Sequence, residues 1–229
     1  TTITGSLEKA VQAASKVLAV QGQVVPATNI DVMLWAELED GEKIFGESNI
    51  SKSQKLISRI GYLPENPSAL PSALESIKEA DLILLGPGSL YTSLLPNLLI
   101  PEIVEALLKS NAPKIYISNL MTQPGETDGL NVYQHIKSIE KQLSNLGVNS
   151  RIFNAILSQK QFDNSSVIDY YRSRGAEPVQ CNKEELLSEG YYVMQAPLYA
   201  KRITPTLRHD SHRLARAVMF IYRKLKKLT

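Results

Sequence analysis

Hydrophobic positions recur with two different periods along the chain, and the change of period divides it into two parts. Before residue 64, apolar and polar side chains alternate on both sides of Asp40-Gly41, a dipeptide typical of a tight hairpin turn. After residue 64, short apolar runs alternate with segments whose apolar residues recur every three or four positions, as in amphipathic helices. Strands separated by helices are typical of parallel pairing through right-handed crossovers. The pattern predicts an α/β fold, a mostly parallel sheet flanked by helices with an inserted antiparallel β-hairpin.

The boundaries of the predicted elements follow from turn and cap residues. Ser6 is a suitable N-cap for a first helix that ends by Gly22, and residues 23–62 form the insertion, with the segment LISRIGYL extending its hairpin. Strands are predicted at 82–85, 114–118, 151–157 and 177–180. Helices are predicted after the proline-rich segment that follows Pro64, then at 101–110, 130–146, 165–174, 183–187 and 213–228. We expect residues 1–229 to form one domain.

Composition and charge argue against several classes of protein. The 229 residues are 43% hydrophobic and carry a net charge of +2, too small to indicate a nucleic-acid or membrane partner by itself. No apolar run approaches the roughly 18 residues that span a bilayer, and no signal peptide is recognisable. The single cysteine, Cys181, excludes an internal disulfide and fits a reducing compartment. We therefore expect a cytoplasmic protein without nucleic acid and without membrane insertion.

The segment that follows the predicted strand 82–85 is the first candidate site. Ligands of open parallel sheets bind beyond the carboxyl ends of the strands. Gly86 allows a turn that a side chain would obstruct, and Gly88 allows another group to approach the backbone. Hydroxyl groups and free amides at the start of a helix attract anions. The candidate phosphate-binding residues are Gly86, Pro87, Gly88, Ser89, Leu90, Tyr91, Thr92 and Ser93.

This segment does not match the common phosphate-binding signatures. A dinucleotide fingerprint needs glycine or alanine at the position of Tyr91, a Walker A loop needs a lysine, and the hydrolase elbow G-x-S-x-G is absent. The alternative interpretation is a tight turn between a strand and a helix, in which Ser89 acts only as a cap.

A second polar loop follows the next predicted strand and can face the same crevice. Its candidate binding residues are Asn119, Met121, Thr122, Gly125, Glu126 and Thr127. Glu126 and Asp128 are also candidates for a Mg²⁺ site, because hard cations bind carboxylates and phosphate oxygens together. The alternative is a solvated turn in which Asp128 caps the following helix.

The last fifty residues contain three weaker candidates. His209 and His212 have the spacing of two metal ligands on a helix, but no third ligand is identifiable, and Asp210 is equally suited to cap the final helix. The helix at 213–228 is basic and amphipathic, so it could contact anionic lipid or nucleic acid, although docking on the core is the more common role. Cys181 is interpreted as structural.

Long motifs in this chain resemble the YvcK gluconeogenesis-factor family, which belongs with the CofD-like transferases in one Rossmann-like superfamily. The motifs are GPGSLYTSLLPNLLIPEI, SNLMTQPGETDG and SKVLAVQGQVVPATNIDVMLWAELEDG. The stretch LRHDSHRLARAV resembles the family's segment before its last helix, which adds Arg208, His209 and Asp210 to the candidate ligand site. Family members begin with a glycine-rich region about a hundred residues before the point that Thr1 matches. We expect this chain to lack that region.

The resemblance implies a regulatory protein that binds a UDP-sugar, such as UDP-N-acetylglucosamine, and supports gluconeogenic growth, cell shape and envelope precursor synthesis. In that reading Gly86, Gly88 and Ser89 present amides to the diphosphate, and Thr92 and Ser93 add hydroxyl donors. Asn119 and Thr122 contact the sugar or phosphate, and residues 125–127 close the rim of the site. A homodimer and a regulatory protein partner are also implied. The CofD branch implies instead a Mg²⁺-dependent transferase acting on a nucleotide-activated donor. A third hypothesis is an interaction module that binds no ligand. We favour binding without turnover.

Overall fold

The computed structural model describes residue 5 and residues 7–17, 21–53, 55–162, 165–200 and 207–227. The helices are α1 Leu7–Val17, α2 Glu47–Ile50, α3 Pro71–Glu79, α4 Leu95–Leu98, α5 Pro101–Lys109, α6 Val132–Ser144, α7 Ser165–Arg172, α8 Lys183–Ser188 and α9 Ser211–Leu225. The strands are β1 Met33–Leu38, β2 Lys43–Phe45, β3 Ile57–Leu63, β4 Ile83–Leu85, β5 Lys114–Ile117, β6 Ala155–Gln159 and β7 Tyr192–Ala196. A π-helical turn, Leu90–Leu94, leads into α4.

The parallel sheet has the strand order β4-β5-β6-β7, and each neighbouring pair is parallel. This confirms the predicted α/β fold with helices between the strands. The carboxyl ends of β4 and β5 lie side by side, because Leu85 pairs with Tyr116. The two candidate loops leave the sheet from these adjacent ends, as the sequence predicts.

The fourth strand of this sheet is not the one that the sequence predicts. Residues 177–180 form only an isolated antiparallel bridge, between Pro178 and Met121. The fourth strand is β7, which pairs with β6 over five residues. The third strand also begins at Ala155, four residues later than predicted, because Asn154 precedes it and receives a hydrogen bond from the Lys114 amide through its side chain (2.8 Å).

The inserted segment forms a three-stranded antiparallel sheet with the order β2-β1-β3. The predicted hairpin around Asp40-Gly41 is confirmed, and the segment LISRIGYL supplies the third strand. Gly61 is required there, because a Cβ at this position would lie 2.4 Å from Cζ2 of Trp35 on the neighbouring strand. The other face of β1 is buried and packs into the main core.

Helix α6 connects the antiparallel sheet to the parallel sheet. Its buried Gln142 accepts a hydrogen bond from the Ile60 amide (3.3 Å) and donates one to the Ser58 carbonyl (3.2 Å), both on β3. Asn131 caps the helix, since its side chain accepts a hydrogen bond from the Gln134 amide (2.9 Å). The expectation that Asp128 provides this cap is therefore wrong.

Apolar side chains cover both faces of the parallel sheet. One cluster includes Tyr116 and Ile156 and faces α6, whereas the other includes Ile117 and Leu157 and packs against α9. The final helix is docked on the core, as the sequence predicts. No helix in the described ranges is long and apolar enough to cross a membrane. The predicted N-cap Ser6 and residue 228 lie outside the described residues.

Tyr116 and His135 form a buried polar pair between β5 and α6. The Tyr116 hydroxyl lies 3.2 Å from Nδ1 of His135, and both side chains are fully buried. Burial lowers the pKa of His135 from 6.5 to about 4. The buried imidazole pairs with the tyrosine hydroxyl through Nδ1, and its Nε2 has no partner among the described residues.

We predict that His135 makes the protein less stable in acid. Because its pKa is lower in the folded than in the unfolded chain, the unfolded chain binds the proton first as the pH falls below 6.5. The free energy of unfolding should fall by about 3 kcal/mol between pH 6.5 and pH 4 from this group alone. Urea unfolding of wild type and His135→Leu measures the difference, and the variant should lack this part of the pH dependence. His212→Gln, on the exposed side of α9, is the control and should retain it.

Candidate functional site

The Asn119 side chain joins the two candidate loops at the ends of β4 and β5, and Glu126 joins them a second time, as described below. Asn119 accepts a hydrogen bond from the Gly88 amide at Oδ1 (3.1 Å) and donates one to the Gly88 carbonyl through Nδ2 (2.9 Å). Because both bonds form with one residue, the amide group of Asn119 holds the turn in a fixed orientation. The predicted meeting of the two loops is confirmed by these contacts.

Ser89 begins the π-helical turn. Its Oγ accepts a hydrogen bond from the Thr92 amide (3.1 Å) and lies 2.6 Å from the Thr92 hydroxyl, and its carbonyl accepts bonds from the amides of Ser93 and Leu94 (both 3.0 Å). The alternative interpretation, in which Ser89 is a cap, therefore describes one of its roles correctly. In the described part of the chain no acceptor is found for the amides of Ser89 and Leu90.

Glu126 places a carboxylate where the sequence analysis expects a phosphate. The side chain is 2% exposed, and its Oε2 accepts a hydrogen bond from the Ser89 hydroxyl and lies 3.5 Å from the Tyr91 amide. Its Oε1 accepts a hydrogen bond from Nε2 of Gln123 (3.0 Å). Burial raises the pKa of Glu126, although the bonds from Ser89, Tyr91 and Thr92 oppose the shift. The turn thus already contains an internal anion.

The two glycines of the turn have different roles. A Cβ on Gly88 would lie 3.3 Å from Cβ of Ser93, so this residue allows the turn to pack on the π-helical segment. A Cβ on Gly86 would meet no atom within 4 Å, and its φ is not in the left-handed region. The expectation that a side chain at Gly86 would obstruct the turn is therefore wrong. Open space lies beside Gly86, which lines a cavity of about 480 Å³.

Hydroxyl groups in the second loop stabilise the loop itself. Thr122 accepts a hydrogen bond from the Glu177 amide (2.8 Å), and Thr127 accepts one from the Gln123 amide (2.8 Å). Both threonines are buried. Gly125 has a φ of +81° and donates its amide to the exposed Asp128. In this arrangement Thr122 and Thr127 position the loop, and Asn119 and Glu126 are the residues that reach the turn.

The carboxylates proposed for Mg²⁺ are both occupied by protein donors. Glu126 is bonded as described above, and Oδ2 of Asp128 accepts the Gly125 amide at 2.6 Å. These N–H and O–H groups take up both oxygens of Glu126 and one oxygen of Asp128, so a bound Mg²⁺ would have to displace them. Within the described residues, no three His, Cys, Asp or Glu side chains are grouped as metal ligands. A Mg²⁺ site stays a prediction.

The segment before α9 adds a third group at the same edge of the sheet. Asp210 caps α9, since Oδ1 accepts a hydrogen bond from the Arg213 amide (3.0 Å), whereas Arg208 is exposed. The Ser118 backbone hydrogen-bonds His209, but burial has the larger effect and lowers the pKa of this imidazole. Because Ser118 precedes Asn119, His209 lies next to the candidate site.

Two buried serines near these strand ends were not identified from the sequence. Ser118 follows β5 and Ser158 lies in β6, and neither hydroxyl has a partner among the described residues. Unpaired buried hydroxyls are uncommon in a core. A serine near the end of each apolar run, KIYIS and AILSQ, was the signal that could have indicated them. Cys181 is half-buried and burial raises the pKa of its thiol, which agrees with a structural role.

Comparisons with known proteins bear on the family and the fold of this chain. A family model described as "2-phospho-L-lactate transferase CofD" matches residues 1–199. The chain is similar to a protein of Nostoc sp., with 46% identity over 96% of this chain and 47% of the relative. It is also similar to the "Gluconeogenesis factor" of Bacillus subtilis, with 40% identity over 94% of this chain and 66% of the relative. The chain thus spans between about half and two thirds of the length of these relatives.

A solved structure has the same fold. The crystal structure of a member of the UPF0052 family from Bacillus halodurans matches 95% of this chain and 68% of its own, with a TM-score of 0.87 and 38% identity. The shared fold therefore extends over nearly all of this chain.

We predict that Asn119→Ala destabilises the protein by about 1–3 kcal/mol, because it leaves the amide and carbonyl of Gly88 without partners. Hydrogen exchange should also become faster across residues 86–93. Asn97→Ala is the matched control, since Asn97 makes one side-chain bond to the Ser93 carbonyl (2.9 Å) and is exposed. Urea unfolding and exchange measured by mass spectrometry provide both values. An Asn119→Ala variant no less stable than Asn97→Ala would contradict the role of this contact.

Proposed function

Because this chain belongs to the CofD family and to its gluconeogenesis-factor branch, we propose that the cleft between its two strand-end loops binds a UDP-sugar without turning it over. Membership in this branch confirms the resemblance found in the sequence motifs. The observation that carries the proposal is the contact between Asn119 and Gly88, which holds two polar loops together at the carboxyl ends of adjacent parallel strands.

The diphosphate would bind at the turn that begins at Gly86. The amides of Ser89 and Leu90, which have no acceptor in the described part of the chain, are the donors for it, with the exposed hydroxyl of Ser93 beside them. The open space at Gly86 allows a ligand to approach the backbone closely. Asn119, half-buried at the junction of the loops, would orient the sugar or the phosphate. UDP-N-acetylglucosamine is the first ligand to test.

Glu126 would control how strongly the anion binds. Its buried carboxylate shares the donors of the turn, so a bound diphosphate lies close to a second negative charge. Protonation of Glu126 removes that repulsion, and its raised pKa makes protonation easier than for an exposed glutamate. Binding should therefore strengthen as the pH falls towards the pKa of Glu126.

The cellular role follows the same proposal. A regulator that reads the concentration of a UDP-sugar would connect gluconeogenic growth to envelope precursor synthesis and cell shape, acting in the cytoplasm through a regulatory protein partner or as a homodimer. These statements are proposals about a whole protein of the family. The relatives are substantially longer than this chain, which covers 47% and 66% of two of them.

A transferase is the second candidate function, and the description of the matching family model favours it. Such an enzyme would move a phosphorylated group from a nucleotide-activated donor with the help of Mg²⁺. The protein donors that occupy Glu126 and Asp128 argue for binding without turnover. Mg²⁺-dependent consumption of a nucleotide donor, lost in Glu126→Gln/Asp128→Asn, would favour the enzyme.

We predict that Gly86→Ala weakens UDP-N-acetylglucosamine binding at least 10-fold without loss of stability. The added methyl group meets no protein atom, so it affects only a ligand that approaches the backbone there. Titration calorimetry on the protein, with thermal unfolding in parallel, separates the two effects. Lys109→Ala, on the exposed side of α5, is the control and should bind like wild type. Absence of wild-type binding at millimolar ligand would support the third hypothesis, a module that binds no ligand.

Glu126→Gln should strengthen binding of the same ligand at pH 7.5 by about 5-fold, on the order of 1 kcal/mol, because it removes a charge and keeps the shape of the side chain. Its affinity should also be nearly independent of pH, whereas wild-type affinity should rise in acid. The measurement is titration calorimetry at several pH values. Weaker binding by Glu126→Gln would show that the carboxylate contacts the ligand favourably, and would overturn this part of the proposal.

A further inference from the structure

Helix α9 has one face in the core and one face in solvent, and the two faces differ sharply in charge. Ala217, Val218 and Ile221 are buried against the parallel sheet. The sequence from Ser211 to Leu225 contains no aspartate or glutamate. Six of the exposed residues of the helix and its last turn share one helix face, here called the α9 stripe: Arg216, Met219, Phe220, Arg223, Lys224 and Lys227.

Two large apolar side chains lie in the middle of this cationic surface. Met219 is 42% exposed and Phe220 is 47% exposed, although the opposite face of the helix already provides its contact with the core. Arg216 lies one turn before them, and Arg223 and Lys224 lie one turn after them, since residues three and four apart share a helix face. Nζ of Lys224 is 5.6 Å from the centre of the Phe220 ring.

We propose that the α9 stripe docks on a membrane surface that contains anionic phospholipids. The arginine and lysine side chains would bind lipid phosphates, and Met219 and Phe220 would enter the boundary between headgroups and acyl chains. A helix that lies in the plane of the interface has this combination of a basic face and exposed apolar side chains. The inference concerns peripheral contact, and the helix does not span the bilayer.

The distribution of the side chains favours lipid over nucleic acid. Surfaces that bind single-stranded nucleic acid combine cations with aromatic side chains that stack on the bases, whereas here half of the apolar pair between Arg216 and Arg223 is Met219, which cannot stack. In a lipid interface the same pair gains free energy from burial, so both halves of the stripe contribute to one ligand. The charge of the stripe, positive with no carboxylate on the helix, complements phosphatidylglycerol or cardiolipin.

The test is sedimentation of the purified protein with large vesicles of phosphatidylcholine, alone or with 30% phosphatidylglycerol. We expect binding only to the anionic vesicles, with a loss of at least 10-fold in 0.5 M NaCl. Met219→Ser/Phe220→Ser and Arg216→Glu/Arg223→Glu/Lys224→Glu should each weaken binding at least 10-fold.

Lys52→Glu/Lys141→Glu/Arg172→Glu is the matched control, because it makes the same change in charge at exposed positions elsewhere. It should bind at least 5-fold more tightly than the triple variant in α9.

A second readout reports the position of Phe220. In Phe220→Trp, with Trp35→Phe to remove the other indole, fluorescence emission should shift to shorter wavelength on anionic vesicles. All variants should retain the circular dichroism of wild type, because the changed side chains on α9 are exposed.

Equal binding by the Met219→Ser/Phe220→Ser variant would overturn the proposal, as would binding to duplex RNA without binding to vesicles. A dimer of wild type that Phe220→Ser dissociates, without vesicle binding, would assign the stripe to a second copy of this chain.

Discussion

The two hydrogen bonds between the Asn119 side chain and the Gly88 backbone are the contact on which the candidate site depends. Parallel pairing of β4 and β5 brings the two loops that follow these strands to one edge of the sheet. Because β4 is only three residues long and its pairing ends at Leu85, the turn after it has no strand-to-strand hydrogen bonds. A side-chain amide can donate and accept at once, so it can satisfy both polar groups of one glycine. An alanine or an aspartate at residue 119 could not do this.

The Glu126 side chain accepts hydrogen bonds from donors of the turn that could otherwise bind an anion. Amide and hydroxyl donors gathered at a turn need acceptors if they are removed from water. The Glu126 carboxylate supplies the acceptor for Ser89 and the Tyr91 amide, while Gln123 and the loop held by Thr122 and Thr127 keep it in place. In the proposed function, an incoming phosphate would therefore compete with the carboxylate of Glu126. This competition would limit the affinity for the phosphate and make it depend on the protonation of one buried side chain.

The periodicity of the sequence predicted the parallel sheet, the hairpin and the docked face of α9, because those features depend on local patterns of apolar residues. It did not predict β7, although Tyr192 and Val193 are residue types common in strands, or the π-helical turn, which no local pattern specifies. The partners of the site residues depend on contacts between distant segments, such as Thr122 with Glu177. Gly86 and Gly88 are equivalent in the sequence, and only the three-dimensional packing distinguishes a crowded glycine from an open one.

Helix α9 connects the candidate site to the outer surface of the protein. Its cap, Asp210, donates its amide to the Leu198 carbonyl, and the preceding His209 lies close to the backbone of Ser118, one residue before Asn119. In the proposed function, a ligand that orders the Asn119 loop would therefore also act on residues near the start of α9. Thermodynamic linkage is reciprocal, so a surface that fixes α9 would in turn strengthen ligand binding by the same factor. Measuring UDP-sugar affinity with and without anionic vesicles would determine that factor, and a ratio of one would show that the helix and the cleft act independently.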